Sequence, residues 1–282
     1  MSISAAQVKE LRGKTGAGMM ECKTALVEND GDFAKAEQQL KDRGLLIAKK
    51  REERMTNQGT VFGMFSDDTL SLLELRSETD FVSQNAIFVK LGEQCVREVH
   101  EKRLTEANET IKALIIDAVA VIKENLVINS IRTVTGGPGD CLAGYVHGIG
   151  RIASGVKLTL SKPELRNDER IRTLASDLAL HVAAFGPQFV APEEVSDEYR
   201  KGYEEDYRQE VSQSGKPERL WDQIVTGKWN KHLGAVCLTR QPYLRDEDIT
   251  VEEAVGRVAR ELGCAISVSD FAYIAIAPAV CL

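Results

Sequence analysis

Gly59-Thr-Val-Phe-Gly-Met-Phe-Ser-Asp-Asp-Thr-Leu-Ser-Leu-Leu-Glu-Leu75 is where the chain changes its period. Residues 60–65 and 69–75 alternate or run apolar around Ser66-Asp67-Asp68, the pattern of two strands joined by a short polar turn. Upstream of Gly59 the apolar spacing is helical; from here it is that of a sheet. A chain that switches period in this way is expected to be α+β.

Residues 1–54 read as three short helices. Ser4 with Gln7 forms a capping box at the first, Val8 and Leu11 give its apolar face, and Gly13 and Gly16 end it. The second runs from Met19 to Glu28 and stops at Asn29-Asp30-Gly31. The third is capped by Asp32, carries Phe33, Ala36 and Leu40 on one face, and is expected to end at Gly44. Helices this short need one another's apolar stripes, so a bundle is expected. The charged stretch 49–57 reads as a helix end and linker.

Downstream of the hairpin, helices are expected over 80–101 and 106–123, then a strand over 127–134 ending at Gly136-Gly137-Pro138-Gly139. A second strand–turn–strand starts at Gly144-Tyr145-Val146-His147 and is followed by a helix near 168–184, so a hairpin-plus-helix unit occurs twice. Residues 194–234 interrupt the second unit. Tyr199, Tyr203, Tyr207 and Val211 lie four apart; Leu220, Trp221, Ile224, Val225 and Trp229 face them across the turn Ser212–Pro217, giving an antiparallel helical hairpin. A strand at 235–238, a helix at 250–262 and a β-rich end at 265–276 complete the reading. The expected organisation is 1–54 a three-helix bundle, 55–140 a first core subdomain, 141–193 with 235–282 a second, and 194–234 the hairpin.

Lys and Arg number 36 against 43 Asp and Glu, a formal charge of −7. A broad nucleic-acid face needs clustered positive charge. The densest basic group, Lys49, Lys50, Arg51 and Arg54, already contains Glu52 and Glu53. Six cysteines show no C-x-x-C pair or zinc-like spacing with histidine. The first residues carry no basic segment followed by an apolar one, and no apolar run is long enough to span a bilayer. A cytosolic protein with reduced, core-packed thiols, no metal and no cofactor is expected. No phosphate-binding loop, nucleophile elbow or zinc-protease motif occurs, and no two of the four histidines share a helix face, so an enzyme is not expected.

Two segments exceed what structure alone requires. Arg12-Gly-Lys-Thr-Gly-Ala-Gly-Met-Met-Glu-Cys-Lys23 places Met19, Met20 and Lys23 at the start of the second helix. Methionine moulds to partners, although the same residues could pack a bundle core. Arg76-Ser-Glu-Thr-Asp-Phe-Val82 follows the hairpin. Thr79 or Asp80 could simply cap the next helix, but a strand-to-helix corner readily leaves a phenylalanine pointing outward.

With these segments, Tyr145-Val-His-Gly, Arg151-Ile152, His181-Val-Ala-Ala184, Ser214-Gly-Lys-Pro217 and Gln241-Pro-Tyr243 follow in order, and the chain resembles the bacterial elongation factor Ts family from residue 8 to about 270. The resemblance implies a ubiquitin-associated-like (UBA-like) N-terminal bundle, a two-subdomain core and a coiled-coil hairpin. It implies guanine-nucleotide exchange on elongation factor Tu, without covalent chemistry. Thr79, Asp80, Phe81 and Val82 would enter the partner's GTPase domain and disturb its Mg²⁺ and phosphate site. Arg12, Met19, Met20 and Lys23 would grip a helix of that domain. Ile152 and His181 would lie in further contact segments, and Leu244 would touch another domain. Where the family has a glycine after Arg-Ile, this chain has Ala153, and the family's extra C-terminal helix has no counterpart before Leu282. Self-association through the hairpin is a further expectation. The rival readings are a scaffold that binds through the bundle without exchange, and an enzyme built on a Cys/His site.

Overall fold

The computed structural model describes residues 3–276. Its first helices start where local chemistry places them. In α1 (Ala5–Thr15), Ser4 Oγ accepts from the Gln7 amide and Gln7 Oε1 accepts from the Ser4 amide at 2.9 Å. α2 covers Met19–Glu28, and α3 (Phe33–Arg51) is capped by Asp32. Val8, Leu11, Cys22, Ala25, Leu26, Ala36 and Leu40 form their common core.

The expected end of the third helix at Gly44 is corrected. The helix continues to Arg51 because Gly44 is a packing site: a Cβ there would lie 3.2 Å from Ala120 Cβ. The later part of α3 lies against a helix of the next unit, and that contact outweighs glycine's poor helix propensity.

Two three-stranded antiparallel sheets follow. The first has the order β1 (Gln58–Phe65), β2 (Thr69–Ser77), β3 (Leu126–Thr135), with α4 (Asp80–Ser83), α5 (Ala86–Lys102) and α6 (Glu109–Ile122) between β2 and β3. The second has the order β4 (Asp140–His147), β5 (Ile152–Leu160), β8 (Ile266–Ala275). Between β5 and β8 lie α7 (Glu169–Phe185), α8 (Asp197–Ser212), α9 (Trp221–Val236), the short strands β6 (Pro242–Tyr243) and β7 (Asp246–Thr250), and α10 (Val251–Leu262). Both sheets therefore have a hairpin whose second strand also pairs with a third strand returning after helices. Both carry a bulge at the corresponding place, between Glu74 and Leu75 and between Lys157 and Leu158.

The sheets stack face to face. Val61, Leu70, Leu72 and Val134 of the first meet Ala153, Ala272 and Ile274 of the second. Helices cover the outer faces: Leu73 and Leu75 pack under Phe88, Cys95 and Ile111, and Val156 and Leu158 under Ile171, Leu178 and Val251. The layers run helices, sheet, sheet, helices. β2 is thus covered on both sides, which accounts for its nearly continuous apolar run. Glu74 sits in that run because the bulge gathers donors around it: Arg76 Nε at 2.5 Å, Asn129 Nδ2 at 2.7 Å and Ser130 Oγ at 2.8 Å.

Two further expectations are corrected. The helix expected over 80–101 is broken into α4 and α5, because Asn85 Oδ1 takes the Ile87 amide at 2.8 Å and starts a new helix. Residues 235–238 are not a strand: α9 runs to Val236, Cys237 makes a lone parallel bridge to Phe189, and Leu238–Arg240 is a 3₁₀ turn. The aromatic stripe of α8 is spent inside its own hairpin, where Tyr199, Tyr203 and Tyr207 pack on Trp229 and Leu233. The expectation about the chain's end falls on residues outside the described range.

Candidate functional site

The corner between β2 and α4 is built from five consecutive residues with different tasks, Glu78 to Val82. Glu78 is tied inward: its carboxylate accepts from the Asn125 amide at 2.7 Å and pairs with Arg54 at 3.3 Å and Arg51 at 3.9 Å. Thr79 is extended and donates twice to Glu124, from its amide at 3.0 Å and its hydroxyl at 2.7 Å. Asp80 opens the single turn α4, and its carbonyl accepts from Ser83 Oγ at 2.8 Å. Val82 is half-buried and packs against the core beneath the first sheet.

Phe81 stands between these fixed neighbours and is 85% exposed. Isolated exposed apolar residues are ordinary on protein surfaces. A large aromatic held almost wholly in water on a turn anchored at both ends is not, because burying it would gain roughly 1.5–3 kcal/mol. Neither Thr79 nor Asp80 caps the turn with its side chain. The Thr79 hydroxyl goes to Glu124 instead, and the expected cap at this corner is corrected accordingly. Asp80 also lines a cleft of about 780 Å³ between β1, α5 and the turn at Gly150, with Phe62, Val89, Arg97 and Arg151.

A second surface lies on α2. Met19 is 44% and Met20 70% exposed, so neither is a core residue. Lys23 and Arg12 are exposed as well. Val27, not singled out in the sequence, is exposed and continues the Met20–Lys23 face at helical spacing. Glu21 holds the helix start, its Oε2 accepting from the Gly18 amide at 2.9 Å.

The remaining candidates differ in access. Ile152 is half-buried at the start of β5, paired with His147 and Ala275. The exposed apolar residue there is Ile149, 72% exposed in the preceding turn, which the strand-based reading passed over. Ala153 is fully buried between the sheets. His181 has no exposed surface, so it offers no contact of its own. Its Nδ1 accepts from the Leu244 amide at 3.3 Å, which leaves the ring proton on Nε2, donated to Gln241 Oε1 at 2.9 Å. Burial lowers its pKa, opposed by the bond to Gln241. Leu244 is half-buried. His181 thus orients the segment that carries Leu244.

Among the described residues, no three His, Cys, Asp or Glu side chains are placed to hold a metal ion, and no helix is long and apolar enough to cross a membrane. Burial pushes the Cys95 thiol up to about 12 and Cys237 to about 11, so both remain protonated and unreactive at neutral pH. What these segments present at the surface is apolar side chains: Met19, Met20, Val27, Phe81 and Ile149.

The sequence pattern of the family described as Elongation factor TS matches residues 78–277. Elongation factor Ts of Treponema denticola is 35% identical over 269 residues, covering 95% of this chain and 96% of the relative. That of Borrelia recurrentis is 34% identical over 277 residues, covering 98% of this chain and 100% of the relative. That of Syntrophotalea carbinolica is 36% identical over 283 residues, covering 96% and 92%.

Proposed function

The chain belongs to the elongation factor Ts family, and from that membership we propose how its residues carry out guanine-nucleotide exchange on elongation factor Tu. It is a cytoplasmic translation elongation factor and not an enzyme. The exposed Phe81, flanked by Thr79, Asp80 and Val82, is the element that enters the GTPase near its Mg²⁺ and phosphate site. The observation that carries this reading is the near-complete exposure of Phe81 on a braced turn.

A GTPase holds its nucleotide through backbone amides, a lysine and Mg²⁺ on the phosphates. An exchange factor stabilises a partner conformation in which those contacts are open. The coupling is reciprocal: the factor by which this chain weakens GDP is the factor by which GDP weakens this chain. Burying Phe81 in the partner supplies roughly 1.5–3 kcal/mol. At about 1.4 kcal/mol per tenfold, that accounts for ten- to a hundredfold in release rate. The rest must come from the wider interface. Arg12, Met19, Met20 and Lys23 supply a gripping surface, to which Val27 belongs. Ile152, through its neighbour Ile149, and Leu244, oriented by His181, supply further contacts. We read the N-terminal helices as the UBA-like module, the stacked sheets with their helices as two core subdomains, and α8–α9 as the coiled-coil hairpin. Since the aromatic stripe is spent inside it, any self-association of the hairpin would use its outward polar faces.

The test is release of fluorescent GDP from elongation factor Tu. Phe81→Ala, with circular dichroism unchanged, should slow the stimulated rate ten- to a hundredfold by the estimate above; an unchanged rate removes Phe81 from this role. A chain that bound the GTPase and left its release rate untouched would be a scaffold.

A further inference from the structure

The turn after α6 touches both surfaces assigned above. Lys123 ends the helix with φ 66°, a left-handed conformation that turns the chain sharply. Its Nζ lies 3.2 Å from Glu21 Oε1, and Glu21 also holds the Gly18 amide at the start of α2. Val121, two residues earlier, packs against Gly16, where an added Cβ would come within 2.7 Å of Val121 Cγ2. Glu124 accepts both donors of Thr79, and the Asn125 amide donates to Glu78. Asn125 Nδ2 donates to the carbonyls of Arg54 at 2.9 Å and Glu52 at 3.3 Å, where α3 ends.

We propose that the Lys123–Glu124–Asn125 turn is the junction that fixes the Phe81 corner relative to the Met19–Met20 face, and that Glu124 is the positioning residue for Phe81. The proposal rests on the reading of Phe81 given above. The two arms are unequal. Lys123 and Glu21 are both well exposed, and such pairs contribute little. Glu124 binds the residue two before Phe81 through two hydrogen bonds to one carboxylate, a charge-assisted and doubly anchored contact. α4 is a single turn, too short to hold its own direction. Without Glu124, both Thr79 donors lose their acceptor, only the Ser77 hydroxyl still holds the Thr79 carbonyl, and the turn carrying Phe81 can swing. The aromatic ring then reaches its target in a smaller fraction of encounters, which costs rate rather than affinity.

The test measures GDP release from elongation factor Tu against concentration of the full chain. Glu124→Ala should lower the maximal rate by about three- to tenfold and leave the half-saturating concentration unchanged. Glu124→Gln, which keeps an acceptor oxygen for Thr79, should recover most of the rate. Phe81→Ala with Glu124→Ala should be no slower than Phe81→Ala alone. Thr79→Val removes the hydroxyl bond from the other side and carries the test if Glu124→Ala does not fold. A wild-type maximal rate in Glu124→Ala, or an equal further loss when it is added to Phe81→Ala, overturns the positioning role while leaving Phe81 in place. A wild-type rate in Phe81→Ala overturns both readings.

Discussion

Gly155 of β5 lies over Leu70 of β2, and a side chain on Gly155 would run into the Leu70 side chain and come within 3.0 Å of the Ala143 carbonyl. Leu70 is fully buried and cannot swing aside into solvent. The two sheets approach this closely because one of the facing residues has no side chain. Gly155→Ala should therefore destabilise the fold by about 1–3 kcal/mol, the usual cost of overpacking a core. Urea denaturation measures it. In a Leu70→Ala background the same change should cost less, since the space is then open; full additivity would contradict the contact.

Local signals explain why much of the fold was legible. Ser4 with Gln7, Asp32 and Thr250 each bind amides within three residues, and helices begin where they stand. The Ser66-Asp67-Asp68 turn joins its strands as read. What escaped depends on contacts distant in sequence. Gly44 looks like a stop until Ala120 is placed beside it. The apolar run of β2 does not say that a second sheet lies across it. His181 lies in a segment read as contacting the partner, yet the ring is core and its partners come from residues 241 and 244. Glu124 carried no signal, since Thr79 lies 45 positions away. The Phe81 corner was readable because strand, polar cap residues and aromatic are adjacent in the chain. The break at Asn85 was also local and could have been read from its capping side chain.

His181 should titrate below an ordinary histidine. Unfolded, it titrates near 6.5; burial lowers its pKa in the fold. The folded state therefore binds fewer protons in the window below 6.5, and stability rises with pH through it. The contribution is complete above 6.5 and is lost as pH falls toward the folded pKa. His100 and His232 shift the same way through burial, so residue-resolved measurement is needed. Nitrogen-15 NMR of the ring should find the Nε2–H tautomer at pH 7 and a midpoint under 6.5; an Nδ1–H tautomer would contradict the bond from Leu244.

Glu74 should be intolerant of truncation. It is nearly enclosed, and Arg76, Asn129 and Ser130 all donate to it. Glu74→Ala leaves Arg76 without its partner and should cost about 3–5 kcal/mol. Glu74→Gln should cost less, because its amide oxygen still accepts from Asn129 or Ser130. Denaturant midpoints give both values, and equal losses would show that charge, not the acceptor, matters.

Met20 and Phe81 should separate binding from release. Met20 is 70% exposed on α2, outside the core of the N-terminal helices, so Met20→Ala should change stability by no more than about 0.5 kcal/mol. Its side chain gains burial only against a partner. Losing part of a methionine's contribution of roughly 1.5–3 kcal/mol should weaken association about three- to thirtyfold. Since α2 is tied to the Phe81 corner through the exposed Lys123–Glu21 pair of the α6 turn, a weak link, the maximal release rate at saturation should stay near wild type. Phe81→Ala should do the reverse, lowering the maximal rate more than it raises the half-saturating concentration. Titrating each variant against elongation factor Tu at fixed GDP resolves the two parameters. If Met20→Ala instead lowers the maximal rate as much as Phe81→Ala does, the two surfaces do not divide the work, and gripping and opening are one event.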